Sequence, residues 1–475
     1  MQYSIVNWKE QEPISLRLDA EYYQPIFLQA EKKLKLKDWD YLINLSESIK
    51  SFGAYSLCNQ VKYIEKGIPF LRCKDIKDGR IDFSDVLYVS HDANRLLWKS
   101  EVKPKTVLFT MSGTVGNSAI ATEEIEYPIN SNQDIAKIVT NERLNPYFFS
   151  IFLQSRYGEK QVSRLPVGSV QQHIFLWQLE KLIVPAFPAQ FQNYIEDVFK
   201  LSLTYLRKSV DFYDQAQIML LFELSLSNWQ PKHRLHFVKN YSDTVKAERI
   251  DAEYFQPKYD EIVKAIKGYS GGWDTLRNLV KLKDKNFNPV DKTEYKYIEL
   301  SNIAGNGEIT DCMVEEGQGL PSRARRKVAT GDVIVSSIEG SLSSIALIEK
   351  EYDQALCSTG FHVINSRSFN SETLLVLLKS MVGQLQLKKG CSGTILTAIN
   401  KDEFNKLVLP KVDEAVQSQI QQKVTESFNL RKQSKHLLEC AKQAVEIAIE
   451  QNENAAIKWL QEKTKEAGHV AGSAT

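Results

Sequence analysis

The side chains of this sequence that could meet a charged or hydrogen-bonding ligand lie in turns. Thr110, Ser112 and Thr114 run into and through Gly113, and Ser336, Ser337 and Ser341 do the same around Gly340. Lys160 and Arg164 precede Gly168, which is followed by Ser169, Gln171 and Gln172; Lys388 and Lys389 precede Gly390 and Gly393, which is followed by Thr394. Arg72 and Lys74 close the run IPFLRCKDI, and Ser301 and Asn302 close its echo YKYIELSNI. Such turns offer backbone N–H groups and short hydroxyls to phosphates, and amide and guanidinium groups to base edges. Taken singly, each is most simply a solvated loop. Their recurrence in both halves of the chain gives them weight as candidate DNA-binding residues.

Catalytic chemistry finds no comparable foothold. The sequence has no GxxxxGK phosphate loop, no GxGxxG between strand and helix, no HExxH and no GxSxG. Asn145-Pro146-Tyr147 matches part of an amino-methyltransferase loop, but a second Pro and a preceding Gly-rich cofactor motif are missing, so it predicts a helix start. His233 and His236 share i,i+3 spacing without carboxylate or Cys neighbours, and no metal site is expected. Six scattered Cys with no CxxC pair read as reduced thiols. No apolar run of about 18 residues suggests a membrane span. The first residues lack a basic-then-apolar leader, so a cytoplasmic location is expected.

The 475 residues are 43% hydrophobic and 25% charged, with net charge +1, which suits a globular chain of two or three domains. Near-neutrality does not advertise nucleic acid, unless basic residues cluster or partner subunits bring positive charge.

The elements that must hold these turns are written twice. Residues 17–25 read RLDAEYYQP and residues 249–257 read RIDAEYFQP, with only Leu18/Ile250 and Tyr23/Phe255 differing. Asp19, Glu21, Asp251 and Glu253 read as structural partners of Arg17 and Arg249 rather than as acid–base groups. The echo continues through TVLFTMSGTVG and DVIVSSIEGSL, LPVGSVQQHI and CSGTILTAI, and LIVP and LVLP. A repeat on this scale predicts a duplicated domain. The pattern turns helical from Asp19 in the first half and over roughly 251–267 in the second. Helices are also predicted over 148–157 and 371–387, and buried strands at 106–110 and 332–336.

After each LxxP comes a long run without Pro or Gly, 189–226 and 412–455, with an apolar stripe at three- and four-residue spacing. Each predicts a long helix suited to coiled-coil-like pairing. The expected division is a first recognition domain over 1–186, a long helix over 187–228, a connector and second domain over 229–410, a long helix over 411–465 and a disordered tail over 466–475. The fold class is α+β.

With its RxDAEYxxP openings, the GTVG turn at 113–116 and the G[ST]xQ loop at 168–171 before LIVP and a long helix, the chain resembles a specificity subunit of type I restriction–modification systems over nearly its whole length. The resemblance implies two tandem α/β target-recognition domains, related by a pseudo-twofold and joined by two long antiparallel helices that set an unread spacer. It implies double-stranded DNA as ligand, read as a bipartite target with one half-site per domain. It also implies recruitment of two modification subunits, carrying S-adenosylmethionine for adenine methylation, and of restriction subunits using ATP and Mg2+; no cofactor is expected in this chain. The second half departs from the pattern at Gly340-Ser341-Leu342-Ser343 and at Leu396, which replaces Gln171. Two other readings stay open: a recognition module of another restriction–methylation enzyme acting in trans, and a duplicated scaffold that binds protein. The first reading predicts that exchanging residues 13–185 for another reader changes one half of the target. Methylome sequencing that found both halves altered would refute it.

Overall fold

The two β-branched runs become fully buried strands, Val107–Thr110 and Val333–Ser336. Each is an inner strand of a four-stranded antiparallel sheet. The computed structural model describes residues 6, 17, 19–52, 61–77, 79–168, 172–393 and 397–472, with backbone alone for 466–472. The chain mixes helix and sheet and divides into two units, Met1–Tyr205 with Gln433–Thr475, and Leu206–Lys432.

In the first unit the antiparallel sheet runs Ser46–Lys50, Ile135–Thr140, Val107–Thr110, Ser118–Ile120. In the second it runs Val280–Leu282, Phe361–Ser366, Val333–Ser336, Ile345–Leu347, the same order by chain position. Each unit has a second sheet built on one parallel pair: Ile68–Leu71 with Asn130–Ser131, and Glu294–Ile298 with Leu356–Ser358. An antiparallel neighbour follows in each, Leu87–Val89 and Met313–Glu316. The fourth strand differs. Tyr63–Ile64 extends the first unit's sheet beyond Leu87–Val89, whereas Ala324–Lys327 extends the second's beyond Leu356–Ser358, at the opposite edge.

One broken helix, in two segments, packs in the core beside each first sheet: Pro146–Gln154 with Arg156–Ser163, and Ser371–Lys379 with Met381–Gly390. The predicted single helices over 148–157 and 371–387 are each interrupted by a serine. Ser155 and Ser380 leave the helix and accept backbone N–H groups of the next turn. The early helices also start later than expected, at Pro25 and Pro257, because proline fits the first helical position. The residues before them form turns in which Asp19 and Asp251 accept the N–H of Tyr22 and Tyr254 at 3.2 and 3.1 Å.

The long helices are Ala189–Glu223 and Glu414–Glu450. They are not separate from the domains, as the linear division had them; each contributes to both cores. In the first unit Phe191, Ile195 and Phe199 pack in one core with Leu437, Ala441, Ala444 and Val445. In the second, Tyr213, Ala216 and Leu220 share a core with Ile420, Val424 and Phe428. The helix expected over 411–465 breaks at Gln451-Asn452, where Asn452 caps a new helix by accepting the Ala455 N–H at 2.9 Å. That helix, Glu453–Gly472, buries Ala456 and Leu460 and carries its backbone through 466–472, the stretch expected to be disordered. Helix-forming Glu462, Lys463, Lys465 and Ala467 account for the continuation. Residues 7–16 and 473–475 lie outside the described residues.

Polar clips recur at one spacing, each pair 225 positions apart (386 − 161, for instance). Gln161 bonds the Ile183 N–H and carbonyl, both at 2.9 Å, and Gln386 bonds those of Val408 at 2.8 and 2.9 Å. Gln192 accepts the Asn145 N–H at 2.8 Å, and Gln417 accepts that of Asn370 at 3.0 Å. All four glutamines are buried. Replacing Gln386 by Leu strands two backbone groups of Val408, and we expect the second unit to lose about 1–3 kcal/mol. Chemical denaturation followed by exchange of the Val408 amide checks this; an unchanged unfolding free energy contradicts it.

Candidate nucleic-acid interface

The turns singled out in the sequence are brought together in each unit. In the first, Thr114 Oγ1 donates to the Cys73 carbonyl at 3.3 Å and Asn117 Nδ2 to the Ile76 carbonyl at 2.9 Å, joining the Gly113 turn to the 72–76 segment. The Gly168 loop joins them: Ile174 N–H donates to the Met111 carbonyl at 2.9 Å, and Ser112 Oγ shares a hydrogen bond with His173 Nδ1. In the second, Glu339 N–H donates to the Thr397 carbonyl at 2.9 Å and Ile399 N–H to the Ser337 carbonyl at 2.8 Å, joining the Gly340 turn to the Gly393 loop. Ser337 Oγ reaches the Gly360 carbonyl at 2.8 Å, and a Cβ at Gly360 would lie 3.9 Å from Leu300, so the 299–303 segment abuts the same cluster.

The repeated nonapeptide clamps these loops at their base. Arg17 pairs with Asp19 at 2.7 Å, lies 4.7 Å over the Tyr22 ring and donates to the Leu165 carbonyl at 3.0 Å. Arg249 pairs with Asp251 at 2.7 Å, lies 4.3 Å over Tyr254 and donates to the Lys389 carbonyl at 3.4 Å. Both clamps hold the segment where a helix runs into the glycine loop. The Arg17 hydrogen bond holds the Asp19 carboxyl below its ordinary value. Burial opposes the same effect at Asp251, where the Arg249 hydrogen bond nonetheless lowers the carboxyl.

Several expected contact residues prove to be internal. Thr110 and Ser336 are fully buried. Thr110 Oγ1 donates to the Thr114 carbonyl and accepts the Asn117 N–H at 2.9 Å, closing its own turn. Ser336 Oγ meets Ser341 Oγ at 3.0 Å and accepts the Ile338 N–H at 3.1 Å, so Ser341 shares that internal role. Ser112 is buried against His173. Arg164, its side chain 9% exposed, pairs with Glu31 at 2.5 Å and lies over the Tyr22 ring. Arg72 caps its own turn through buried Asp75. Serine and threonine hydroxyls in turns satisfy nearby backbone first, and a cation beside a carboxylate pairs before it meets solvent.

Lys74 pairs with exposed Asp85, Lys388 with Glu339, and Lys389 with Asp260 at 2.9 Å. Asn302 accepts the Glu299 N–H at 2.7 Å. Thr114, Gln172 and Ser301 are exposed, as are Gly113 and Gly340, and Lys160 is half-buried with no ion pair among the described residues. Ser169, Gln171, Thr394 and Leu396 lie outside the described residues. His173, Asn117 and Thr397 belong to the clusters but form no motif of their own in the sequence. His173 and Ala398 stand 225 positions apart, so the repeat spacing carried a signal for that loop.

Nucleophilic chemistry is not built here. Ser112 and His173 share a hydrogen bond, but among the described residues no carboxylate hydrogen-bonds that ring. Burial pushes the Cys73 and Cys391 thiols up to about 11 each, far from thiolate reactivity. Among the described residues no group of three or more His, Cys, Asp or Glu is placed to hold a metal ion. No helix of the described residues is long and apolar enough to cross a membrane. The clusters can present hydroxyls, amides and turn N–H groups to a ligand surface.

Replacing Arg17 by Gln removes the main support of the Asp19 carboxylate, and its pKa is expected to rise toward the ordinary 3.8. A lowered folded-state pKa means the clamp's contribution is complete above pH 3.8 and is lost as pH falls through the folded value below it. Carboxyl NMR titration of both proteins tests this; an identical Asp19 titration in the variant contradicts it.

No family model matches the chain. It is 25% identical over 169 residues to the "Type I restriction enzyme EcoBI specificity subunit" of Escherichia coli, a match covering 31% of this chain and 35% of that protein. The chain therefore spans about a third of the length of that curated relative. Among solved structures it is similar to the S subunit of a type I restriction-modification system from M. genitalium, at 13% identity and TM-score 0.40, over 87% of this chain and 96% of that one. It is also similar to the HsdS subunit from Thermoanaerobacter tengcongensis, at 12% identity and TM-score 0.29, over 87% and 97%.

Proposed function

We propose that this chain is the DNA sequence-recognition subunit of a type I restriction–modification complex. One observation carries the reading: the two units repeat a single framework, down to its buried glutamines and arginine clamps, while the turns mounted on it differ. One scaffold with two sets of loops suits a target of two unlike halves. The resemblance in sequence, and the partial match to a specificity subunit, support the same reading.

On this reading each unit meets one half-site of a duplex through the exposed parts of its cluster, Thr114 and Gln172 in the first and Ser301 and Lys388 in the second. The chain is not the catalyst. Methyl transfer belongs to two modification subunits with S-adenosylmethionine, and translocation and cleavage to restriction subunits with ATP and Mg2+. The long helices act as a measuring rod in cytoplasmic DNA recognition. The 35 residues of the first correspond to about 50 Å of helix, and a DNA turn is about 34–36 Å, so their register sets the unread gap.

A duplicated protein-binding scaffold is the second reading, favoured by the ion pairs that already occupy Arg72, Lys74, Arg164, Lys388 and Lys389. Sequence-dependent DNA binding in the presence of a methyltransferase partner separates the two.

Ser202 pairs with Ser434 in the first unit and Ser209 with Ser427 in the second, a heptad apart on both helices. Inserting seven residues in each helix between these layers keeps the pairing. We expect a changed gap between unchanged half-sequences in maps of methylated adenine. Altered half-sequences at a constant gap would sink the proposal.

A further inference from the structure

Two glycines hold matching turns in the two units. Gly79 has φ +72° and Gly307 φ +88°, conformations that favour glycine. A Cβ at Gly79 would lie 2.5 Å from Gln154 Oε1, and one at Gly307 2.7 Å from Leu375 Cδ1 and 2.9 Å from the Ile345 carbonyl oxygen. Each turn is thus pressed onto its own unit, and the residue after it faces the long helices. In the first unit that residue is Arg80. Its Nη2 donates to Ser202 Oγ at 3.1 Å and to Ser434 Oγ at 2.9 Å, and Ser434 Oγ donates onward to the Ser202 carbonyl at 2.6 Å. Both serines are fully buried.

In the second unit the residue is Glu308, 3% exposed, with Arg431 Nε of the second long helix 2.6 Å from its carboxylate. The second unit has the serine layer too, Ser427 Oγ donating to the Ser209 carbonyl at 2.6 Å, but among the described residues no arginine donates to it. The position matching Arg431 in the repeat is Leu206, 225 earlier (431 − 206). One structural position therefore carries a cation in one unit and a buried anion in the other, and each meets a complementary group.

We propose that Arg80 and Glu308 are charge-coded keys that seat each unit's hairpin on its own stretch of the helix pair and reject the other's. Arg80 donates to a layer of serine oxygens. Glu308 needs Arg431, and a cation in its place would set like charges together where water does not screen them. The keyed hairpin is tied to the reading turns. Asn117 Nδ2 donates to the Ile76 carbonyl at 2.9 Å in the first unit, and Thr310 N–H to the Asn302 carbonyl at 2.9 Å in the second. A mis-seated key would therefore shift the turns beside it, which makes these positioning residues. The DNA consequence rests on the function proposed above; the seating does not.

The test uses the full chain with its methyltransferase partner and the variants Glu308→Arg, Arg431→Glu and their combination. Hydrogen exchange is read at residues 303–309 and 76–81, and methylated adenines are mapped. Each single reversal is expected to speed exchange over 303–309 on the order of tenfold, with 76–81 unchanged, and the double reversal to restore protection. The single reversals are expected to relax base preference at one half-site, and the double to recover it. Should reversal unfold the unit, Glu308→Gln, which removes the charge without repulsion, is expected to show the same local loosening at smaller size. A double variant no better protected than the worse single overturns the key. Uniformly reduced methylation with unchanged preference overturns the positioning role. Rescue of protection in a chain whose parent directs no sequence-dependent methylation leaves the key standing and overturns the DNA reading.

Discussion

A buried backbone N–H or carbonyl without a partner destabilises a fold by about 1–3 kcal/mol, and the framework of this chain is arranged around meeting that constraint. The short strands Ile183–Pro185 and Val408–Pro410 pair on one side only, with Trp39–Tyr41 and Trp273–Thr275. Their remaining backbone groups face helices, which have no ladder to offer. Gln161 and Gln386 supply donor and acceptor together from the two ends of one side-chain amide. Gln192 and Gln417 do the same where the long helices begin, reaching Asn145 and Asn370 at the caps of the preceding helices. These clips fix where each long helix leaves its sheet, and therefore which stretch of helix each core covers.

The same constraint explains which parts of the fold the sequence disclosed. The strands Val107–Thr110 and Val333–Ser336 were legible because buried apolar runs between turns have few other uses. The long helices were legible from their periodic stripe, and the clamp from an Arg–Asp pair repeated with its aromatic neighbour. The second sheets were not legible. Their defining pair joins Phe70 to Asn130, and Tyr297 to Leu356, contacts about sixty residues apart with no local signature (130 − 70; 356 − 297). The helix breaks at Ser155 and Ser380 were hidden for a different reason: serine is a tolerable helix residue until its side chain caps the next turn. The buried glutamines were hidden because glutamine is ordinarily a surface residue. Of the expected contact residues, Thr114, Gln172 and Ser301 face outward, whereas Thr110, Ser112 and Ser336 build the turns that present such residues.

The cations divide by how firmly they are held. Arg164 is packed against the Tyr22 ring and half-buried Glu31, and Arg72 against buried Asp75, and any anion arriving there would draw a cation away from a carboxylate that is partly or wholly shielded from water. Lys74 is paired with an exposed aspartate, Asp85, and such pairs contribute little. A phosphate at Lys74 therefore competes only with an interaction that water already weakens. Lys388 lies between these cases, its ammonium held above its ordinary value by the hydrogen bond to Glu339. A chain of net charge +1 can thus still offer mobile positive charge at chosen points, while Arg72 and Arg164 serve as internal braces.

Divergence between the two units is confined to places where the framework does not depend on the residue. The clips and clamps bond backbone atoms or one another, and none uses a loop side chain that differs between the halves. Gly113-Thr114-Val115-Gly116 and Gly340-Ser341-Leu342-Ser343 can therefore differ without disturbing the strands that carry them. The extra strands follow the same logic. Tyr63–Ile64 and Ala324–Lys327 are added at opposite edges of otherwise matching sheets, where a new strand needs only one free ladder. The exception is the position of Arg80 and Glu308, which differs between units yet touches the long helices. A residue there cannot change alone, because its partner lies on an element shared with the core. That coupling separates it from the loops: a loop residue can change by itself, whereas a residue at this position is matched to a partner on a long helix.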